Sequence, residues 1–200
     1  MFKRYYPIPR NAIKVPLPDT KQKRNYSCGP AAVMAVCRYF GVGFDYEKDF
    51  ISLFKKLGMK LSVGSHPYHL EKVLRYFKLK HKGFCDMTIK QLRSYLRDGL
   101  PVIMMLQAYG EDKNGIPLKT YKGVWKEGHW VVAIGFDETG IFFEDPSLEA
   151  IRGYIPYNEL EERWHDTGPK IEPIEHYGLV VWKPKTFPAR SYARLARYIE

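Results

Sequence analysis

The hydrophobic period changes near the midpoint of the chain. Residues 31–40 are apolar almost all round a helical projection, with Arg38 their only charge, which predicts a helix running through the middle of a domain. Ser27 stands where an N-cap belongs, Pro30 suits a first turn and Gly41 suits the stop. A second helix is expected over about 46–57, capped by Asp45 and ended by Gly58. Ser65 and Pro67 open a third, with Leu70, Val73, Leu74 and Phe77 on one stripe. Thr88 with Gln91 three residues later forms a capping box, opening a fourth helix that closes at Gly99. Beyond it come short β-like runs at 102–106, 130–136, 141–143 and 179–182. Asp137-Glu138-Thr139-Gly140 reads as a tight hairpin turn between two of them. Helices first and strands afterwards predict an α+β fold with a mainly antiparallel sheet.

The connections carry their own signals. Residues 1–24 are punctuated by Pro7, Pro9, Pro16 and Pro18 and are expected to be extended. The segments 107–128 and 163–177 are longer than packing needs, which makes them candidate cleft walls. The first also reads as an ordinary solvated hairpin. Near the end of the chain Arg190, Arg194 and Arg197 fall on one helical face. That face suits either a partner or membrane surface, or a solvated helix packing Tyr192, Leu195 and Ile199 onto the domain.

Composition narrows the class. At 200 residues, 45% hydrophobic and 27% charged, the chain can bury one sizeable core, and global disorder is excluded. No apolar run approaches the roughly 20 residues of a membrane-spanning helix, and the basic start at 1–7 lacks the apolar stretch of a secretory signal. The net charge of +10 sits at the ends, since residues 25–182 balance to zero. No nucleic-acid contact is therefore expected from the core, whereas the basic tails either touch an anionic partner or serve solvation. Three cysteines without paired spacing argue against a disulfide framework or a zinc finger and for a reducing cytoplasm. Nothing in the pattern requires a cofactor or a metal.

Candidate chemistry starts at Cys28. A cysteine in the opening turn of a buried helix meets unpaired N–H groups and the positive end of the helix dipole, which favour a thiolate. A small buried residue is the plainer reading. Cys37, nine residues on, faces the opposite side and belongs to the core; Cys85 is read as structural. Of the six histidines, His66 and His69 are close enough for a metal pair, but no third ligand stands at matching spacing, so both are expected on a helix surface. His81, His165 and His176 have no evident partner. His129 opens a strand at the end of a glycine-rich loop, where a base can be held firmly at a cleft. The hairpin at 137–140 returns the chain past His129, so Asp145 can orient the imidazole. Asp145-Pro146 is also a simple turn signature.

Together these residues resemble a known pattern. Gln22, six residues before Cys28-Gly29-Pro30-Ala31, is similar to the Gln-x5-Cys-Gly-x-Ala signature of papain-like peptidases. His129-Trp130-Val131-Val132, followed sixteen residues beyond the histidine by Asp145-Pro146, resembles the second block of cysteine peptidase family thirty-nine. That family trims double-glycine leaders from bacteriocin precursors and has stand-alone relatives. The stretch Leu96-Arg97-Asp98-Gly99-Leu100-Pro101-Val102 is similar to the helix and strand between the blocks. The resemblance spans about 15–183. It implies a papain-like peptidase domain there, a nucleophile helix packed on the sheet, a basic arm at 1–14 and a basic tail or helix at 184–200. It further implies Cys28 as attacking thiolate and His129 as its imidazolium partner and later general acid. Asp145 would orient that histidine, and Gln22 with the Cys28 N–H would form the oxyanion hole. Gly29 would leave room for a peptide or protein substrate, flanked by Gly128 and Trp130, cleaved through a thioester acyl-enzyme. Transporter-linked members continue Cys-Gly-Ala, whereas this chain has Cys28-Gly29-Pro30-Ala31-Ala32, and no transporter segment follows residue 200, so double-glycine specificity does not follow. Two other readings stay open: an acyl transferase or amidase of the phytochelatin-synthase type, and a catalytically silent binding module.

Overall fold

The computed structural model describes residues 5–168, 170 and 172–183, and the backbone of 195–198. Strand β1 (Tyr5–Pro7) leads through an extended segment to helix α1 (Cys28–Tyr39), followed by α2 (Glu47–Lys56) and α3 (Pro67–Tyr76). Strand β2 (Lys80–Phe84) and helix α4 (Ile89–Arg97) precede the central strands β3 (Val102–Gln107), β4 (Gly128–Phe136) and β5 (Gly140–Glu144). Then come β6 (Arg152–Pro156), α5 (Tyr157–Arg163), β7 (His165–Thr167), β8 (Pro173–Glu175), β9 (Gly178–Trp182) and β10 (Leu195–Tyr198).

The main sheet runs β1-β10-β6-β5-β4-β3-β9-β2, antiparallel at every pairing except β10 with β6; β7 and β8 form a separate ribbon. This is the expected α+β architecture with a mainly antiparallel sheet. Helix α1 is buried along its whole length apart from Arg38, as its all-round apolarity requires, and it packs on β4 with α2 and α3 beside it. Asp137 N–H donates to the Gly140 carbonyl, closing the hairpin that joins β4 to β5.

Several local expectations need correction. Ser27 occupies the cap position of α1, but its hydroxyl makes no cap bond; it donates to Glu47 Oε1 at 2.7 Å instead. Tyr46, not Asp45, precedes α2, and the Asp45 carbonyl accepts from Arg38. His66, not Ser65, caps α3, its N–H donating to His69 Nδ1 at 3.0 Å. His69 is consequently folded back and buried rather than lying on the helix surface. The Thr88–Gln91 capping box forms as read. The stretch 163–177 is not a plain loop but holds the β7–β8 ribbon.

Both ends of the chain join the sheet. Tyr5–Pro7 is a sheet strand, Ala12 is buried, and Lys14 and Val15 both donate to the Ile134 carbonyl. Gly135 explains the tightness of this crossing: a Cβ there would lie 2.3 Å from the Ala12 carbonyl oxygen. Residues 195–198 are a strand where a helix was expected, because β6 offers its backbone edge and β10 pairs along it. The rest of that stretch, with Arg190 and Arg194, lies outside the described residues.

One buried ion pair ties the start of the chain to the sheet. Arg152 on β6 pairs with Glu144 at the end of β5 and donates to the Leu17 carbonyl, while the Thr20 N–H donates to Glu144 Oε1 at 2.6 Å. Removing one member of such a pair typically costs about 3–5 kcal/mol, because the other charge stays buried. Arg152→Ala should lose stability on that order in urea unfolding, and Glu144→Leu with Arg152→Met should recover much of it. A loss under about 1 kcal/mol for the single variant would show that the pair is not an anchor.

Candidate active site

Cys28 is the first residue of α1, presented by a turn that its neighbours wind tightly. The Ser27 N–H donates to the Arg24 carbonyl at 3.0 Å, and the Arg24 N–H donates to Ser27 Oγ at 3.2 Å. Glu47, buried at the start of α2, accepts from both the Ser27 hydroxyl and the Lys23 N–H, so α2 clamps the turn from behind. His129 is the second residue of β4 and Asp145 follows the last residue of β5, so the hairpin sets their separation.

His129 Nε2 and Asp145 Oδ1 are 2.8 Å apart, with His129 6% and Asp145 1% exposed. The Cys28 side chain lies close enough to the same imidazole to raise its pKa. Since Nε2 is engaged by Asp145, Nδ1 is the nitrogen left for the sulfur. Burial alone would lower the His129 pKa, but the Asp145 charge, its hydrogen bond and Cys28 together push it up to about 10. Burial works to raise Asp145, yet His129, the Tyr109 hydroxyl and the Ser147 N–H hold it below the usual carboxylate range.

Two of those groups are partners that the sequence reading did not name. Tyr109 donates its hydroxyl to Asp145 Oδ2 at 2.6 Å and sets its ring edge-on to His129, with centroids 5.5 Å apart. Its backbone sits at φ 60°, a left-handed conformation costing a bulky residue on the order of 1–3 kcal/mol. A charge-assisted hydrogen bond to a buried carboxylate offsets such a cost. Ser147 N–H donates to Asp145 Oδ1 at 2.8 Å; the Asp-Pro-Ser order is an Asx-turn signal that could have shown it.

Gln22 lies on the same segment boundary. Its N–H donates to the Pro146 carbonyl at 2.8 Å, its Nε2 donates to the Arg24 carbonyl at 3.1 Å, and Ser147 Oγ lies 3.4 Å from its Oε1. Gly128 and Trp130 line a cleft of about 450 Å³ that opens beside Cys28, together with Tyr26, Ser65, Trp125 and Asp166. Gly29 does not leave open room. A Cβ there would meet Ser65 Oγ at 1.9 Å, so the space belongs to the loop before α3. Of the loop 107–128, Trp125 lines the cleft, while Tyr121 is buried with the Arg163 guanidinium 3.8 Å over its ring. Cys37 is buried in the core, where desolvation pushes its thiol up; Cys85 is exposed rather than built into the core. His165 is buried with Nε2 2.6 Å from the Val124 carbonyl. Among the described residues no three His, Cys, Asp or Glu side chains gather to hold a metal ion.

A helix-start thiol, a strand-start imidazole and a hairpin carboxylate on this sheet define a papain-like cysteine peptidase fold. The chain belongs to the Peptidase_C39 like family, whose model matches residues 13–171. Solved structures with the same fold include a C39-like peptidase from Bacillus anthracis, with TM-score 0.62 and 17% identity over 88% of this chain and 98% of that one. A double glycine motif protease from an AMS/PCAT transporter, in complex with the leader peptide, gives 0.56 and 19%, over 88% and 96%. The peptidase domain of Streptococcus ComA, a bi-functional ABC transporter involved in a quorum sensing pathway, gives 0.55 and 15%, over 81% and 95%. No curated protein matches. By its family the chain is a cysteine peptidase, which sets aside the silent binding module. No helix among the described residues is long and apolar enough to cross a membrane.

The pKa directions give a pH signature for the pair. His129 is raised from 6.5, so its contribution to stability is fully present below about pH 6.5 and is lost as pH rises toward 10. Asp145 is lowered from 3.8, so its contribution is present above that value and is lost as pH falls through its folded pKa. A Cys28→Ala background removes the neighbouring thiol and leaves Asp145 as the partner that raises the imidazole. There, the unfolding free energy relative to Cys28→Ala/His129→Gln should fall between pH 7 and 10, with a slope approaching about 1.4 kcal/mol per pH unit. A flat difference across that range would show that the imidazole is not held charged.

Proposed function

We propose that the chain hydrolyses peptide bonds with Cys28 as nucleophile, His129 as proton carrier, Asp145 as its anchor and Gln22 as an oxyanion donor. The observation that carries this reading is the buried His129–Asp145 pair at 2.8 Å, with Cys28 close enough to raise the pKa of the same imidazole. The thiolate attacks the carbonyl carbon, and the carbonyl electron pair moves onto oxygen. As that oxyanion collapses, the C–N bond breaks, and the departing amine takes the proton from His129, leaving a thioester. Neutral His129 then takes a proton from water, whose oxygen attacks the thioester. Collapse releases the acid and regenerates thiolate and imidazolium.

Asp145 remains the acceptor throughout, keeping the imidazole in one orientation. The oxyanion falls to the Cys28 N–H, which the helix leaves unpaired, and to Gln22 Nε2. Gln22 suits this because its backbone is tied to Pro146 and its Oε1 faces Ser147, so Nε2 is the amide end available, with one hydrogen beyond that given to Arg24. A peptide substrate is supported by the leader peptide bound to the fold relative. Three unpaired cysteines suit a reducing compartment, the cytoplasm as proposed here.

Alkylation with iodoacetamide at pH 6, mapped by mass spectrometry, tests the reading. Cys28 should label selectively in the native protein and lose that reactivity in His129→Ala, because no imidazolium remains to hold a thiolate. Labelling no faster than a free thiol in the native protein would end the proposal. Once a substrate is in hand, Gln22→Ala should lower kcat by about 10²–10³ with Cys28 labelling retained, as removal of one oxyanion donor does. An unchanged kcat would remove Gln22 from the oxyanion hole.

A further inference from the structure

The cleft beside Cys28 contains a carboxylate that the catalytic reading does not use. Asp166 is the middle residue of β7, which packs beside β3. Its Oδ2 lies so near Gly128 that a Cβ there would come within 2.2 Å of it. Gly128 adjoins His129 in β4, so this carboxylate stands one residue away from the catalytic imidazole.

Its hydrogen-bond partners are neutral, and the electrostatic pull of the adjacent His165 does not outweigh burial. Oδ1 accepts the Thr167 N–H at 2.7 Å, and the Gln107 amide also reaches the carboxylate. Among the described residues, no lysine, arginine or histidine forms an ion pair with it. Lys126 shares the cleft but is exposed, and His66, also in the cleft, is lowered below its ordinary pKa by burial and is uncharged at neutral pH. Half-buried carboxylates without a cation are costly unless something supplies the charge. Burial accordingly pushes the Asp166 carboxyl up.

The rest of the cleft suits the missing cation. Tyr26, Trp125 and Trp130 line it, and its volume of about 450 Å³ admits a long side chain. Aromatic walls cover an aliphatic stem and attract a guanidinium or ammonium head. A glycine in this cleft would fill none of that volume and leave Asp166 unpaired.

We propose that this cleft is a side-chain subsite for lysine or arginine, in which Asp166 binds the cation of a substrate residue close to the bond being cut. The proposal rests on Cys28 as the nucleophile, since it places the subsite beside that sulfur. It makes Asp166 a specificity-determining residue, outside the proton transfers.

Digestion of a defined peptide library, with cut sites read by mass spectrometry, tests it. Lysine and arginine should be enriched at least about tenfold over leucine at one position within three residues of the cut, as a charge-assisted contact implies. Asp166→Asn should lose that enrichment, and Asp166→Lys should turn it toward glutamate and aspartate. Iodoacetamide has no side chain to be read, so it reports separately on Cys28 in each protein. A native Cys28 that labels like a free thiol overturns the nucleophile and the subsite together. If native Cys28 is activated, the subsite alone is overturned by cuts without basic enrichment, by enrichment that survives Asp166→Asn, or by a lysine- and arginine-rich library left uncut.

Discussion

Two consecutive buried carboxylates at the end of β5, Glu144 and Asp145, constrain much of what surrounds them. Neither charge can remain in the core uncompensated. Glu144 takes Arg152 from β6 and the Thr20 N–H, drawing in the extended segment before α1. Asp145 takes His129 from β4, Tyr109 from beyond β3 and the Ser147 N–H. Compensating the two therefore fixes four separate stretches of chain, and the proposed nucleophile, base and oxyanion donor all lie on or beside them.

The arrangement has a chemical consequence. An imidazolium buried at 6% exposure would ordinarily shed its proton, and a carboxylate held ionised beside it is the main influence that reverses that preference. Asp145 is held ionised because Tyr109 and Ser147 donate to it in addition to His129. The strained backbone of Tyr109 is thus coupled to the charge state of the imidazole through a single carboxylate. Gln22 is tied to the same hub by the Pro146 carbonyl, so movement of the Asp-Pro turn would disturb base and oxyanion donor together.

Signals confined to one segment were legible in the sequence. The all-apolar run of α1, the Thr88–Gln91 box and the 137–140 turn each announce themselves within a few residues, and each forms. Cys28, His129 and Asp145 could be singled out because a helix start, a strand start and a hairpin place them. What the pattern hid was long-range and polar. Glu47 reaches Ser27 across 20 positions, Tyr109 reaches Asp145 across 36, and neither pairing leaves a periodic trace. The polar edge strand β2 and the short helix α5 lacked enough apolar residues to show a period. At 195–198, the edge of β6 overrode a helical pattern that the side chains alone suggested.

The two glycines flanking the proposed chemistry sit where two walls of the cleft close in. Gly29 and Gly128 lack side chains because other walls occupy the space: Ser65 Oγ covers the first and Asp166 Oδ2 the second. A Cβ at either position would push a cleft wall away from the sulfur or the imidazole. Glycine here brings the second wall close to the reacting groups, where substrate contacts can align the scissile bond. Those walls come from the loop before α3 and from β7, and neither supplies a hydrogen-bond partner named above for His129 or Asp145. Likeness at 15–19% identity carries the fold alone, so a substrate has to be argued from the walls of this cleft, among them Ser65, Trp125, Trp130 and Asp166, rather than from the fold.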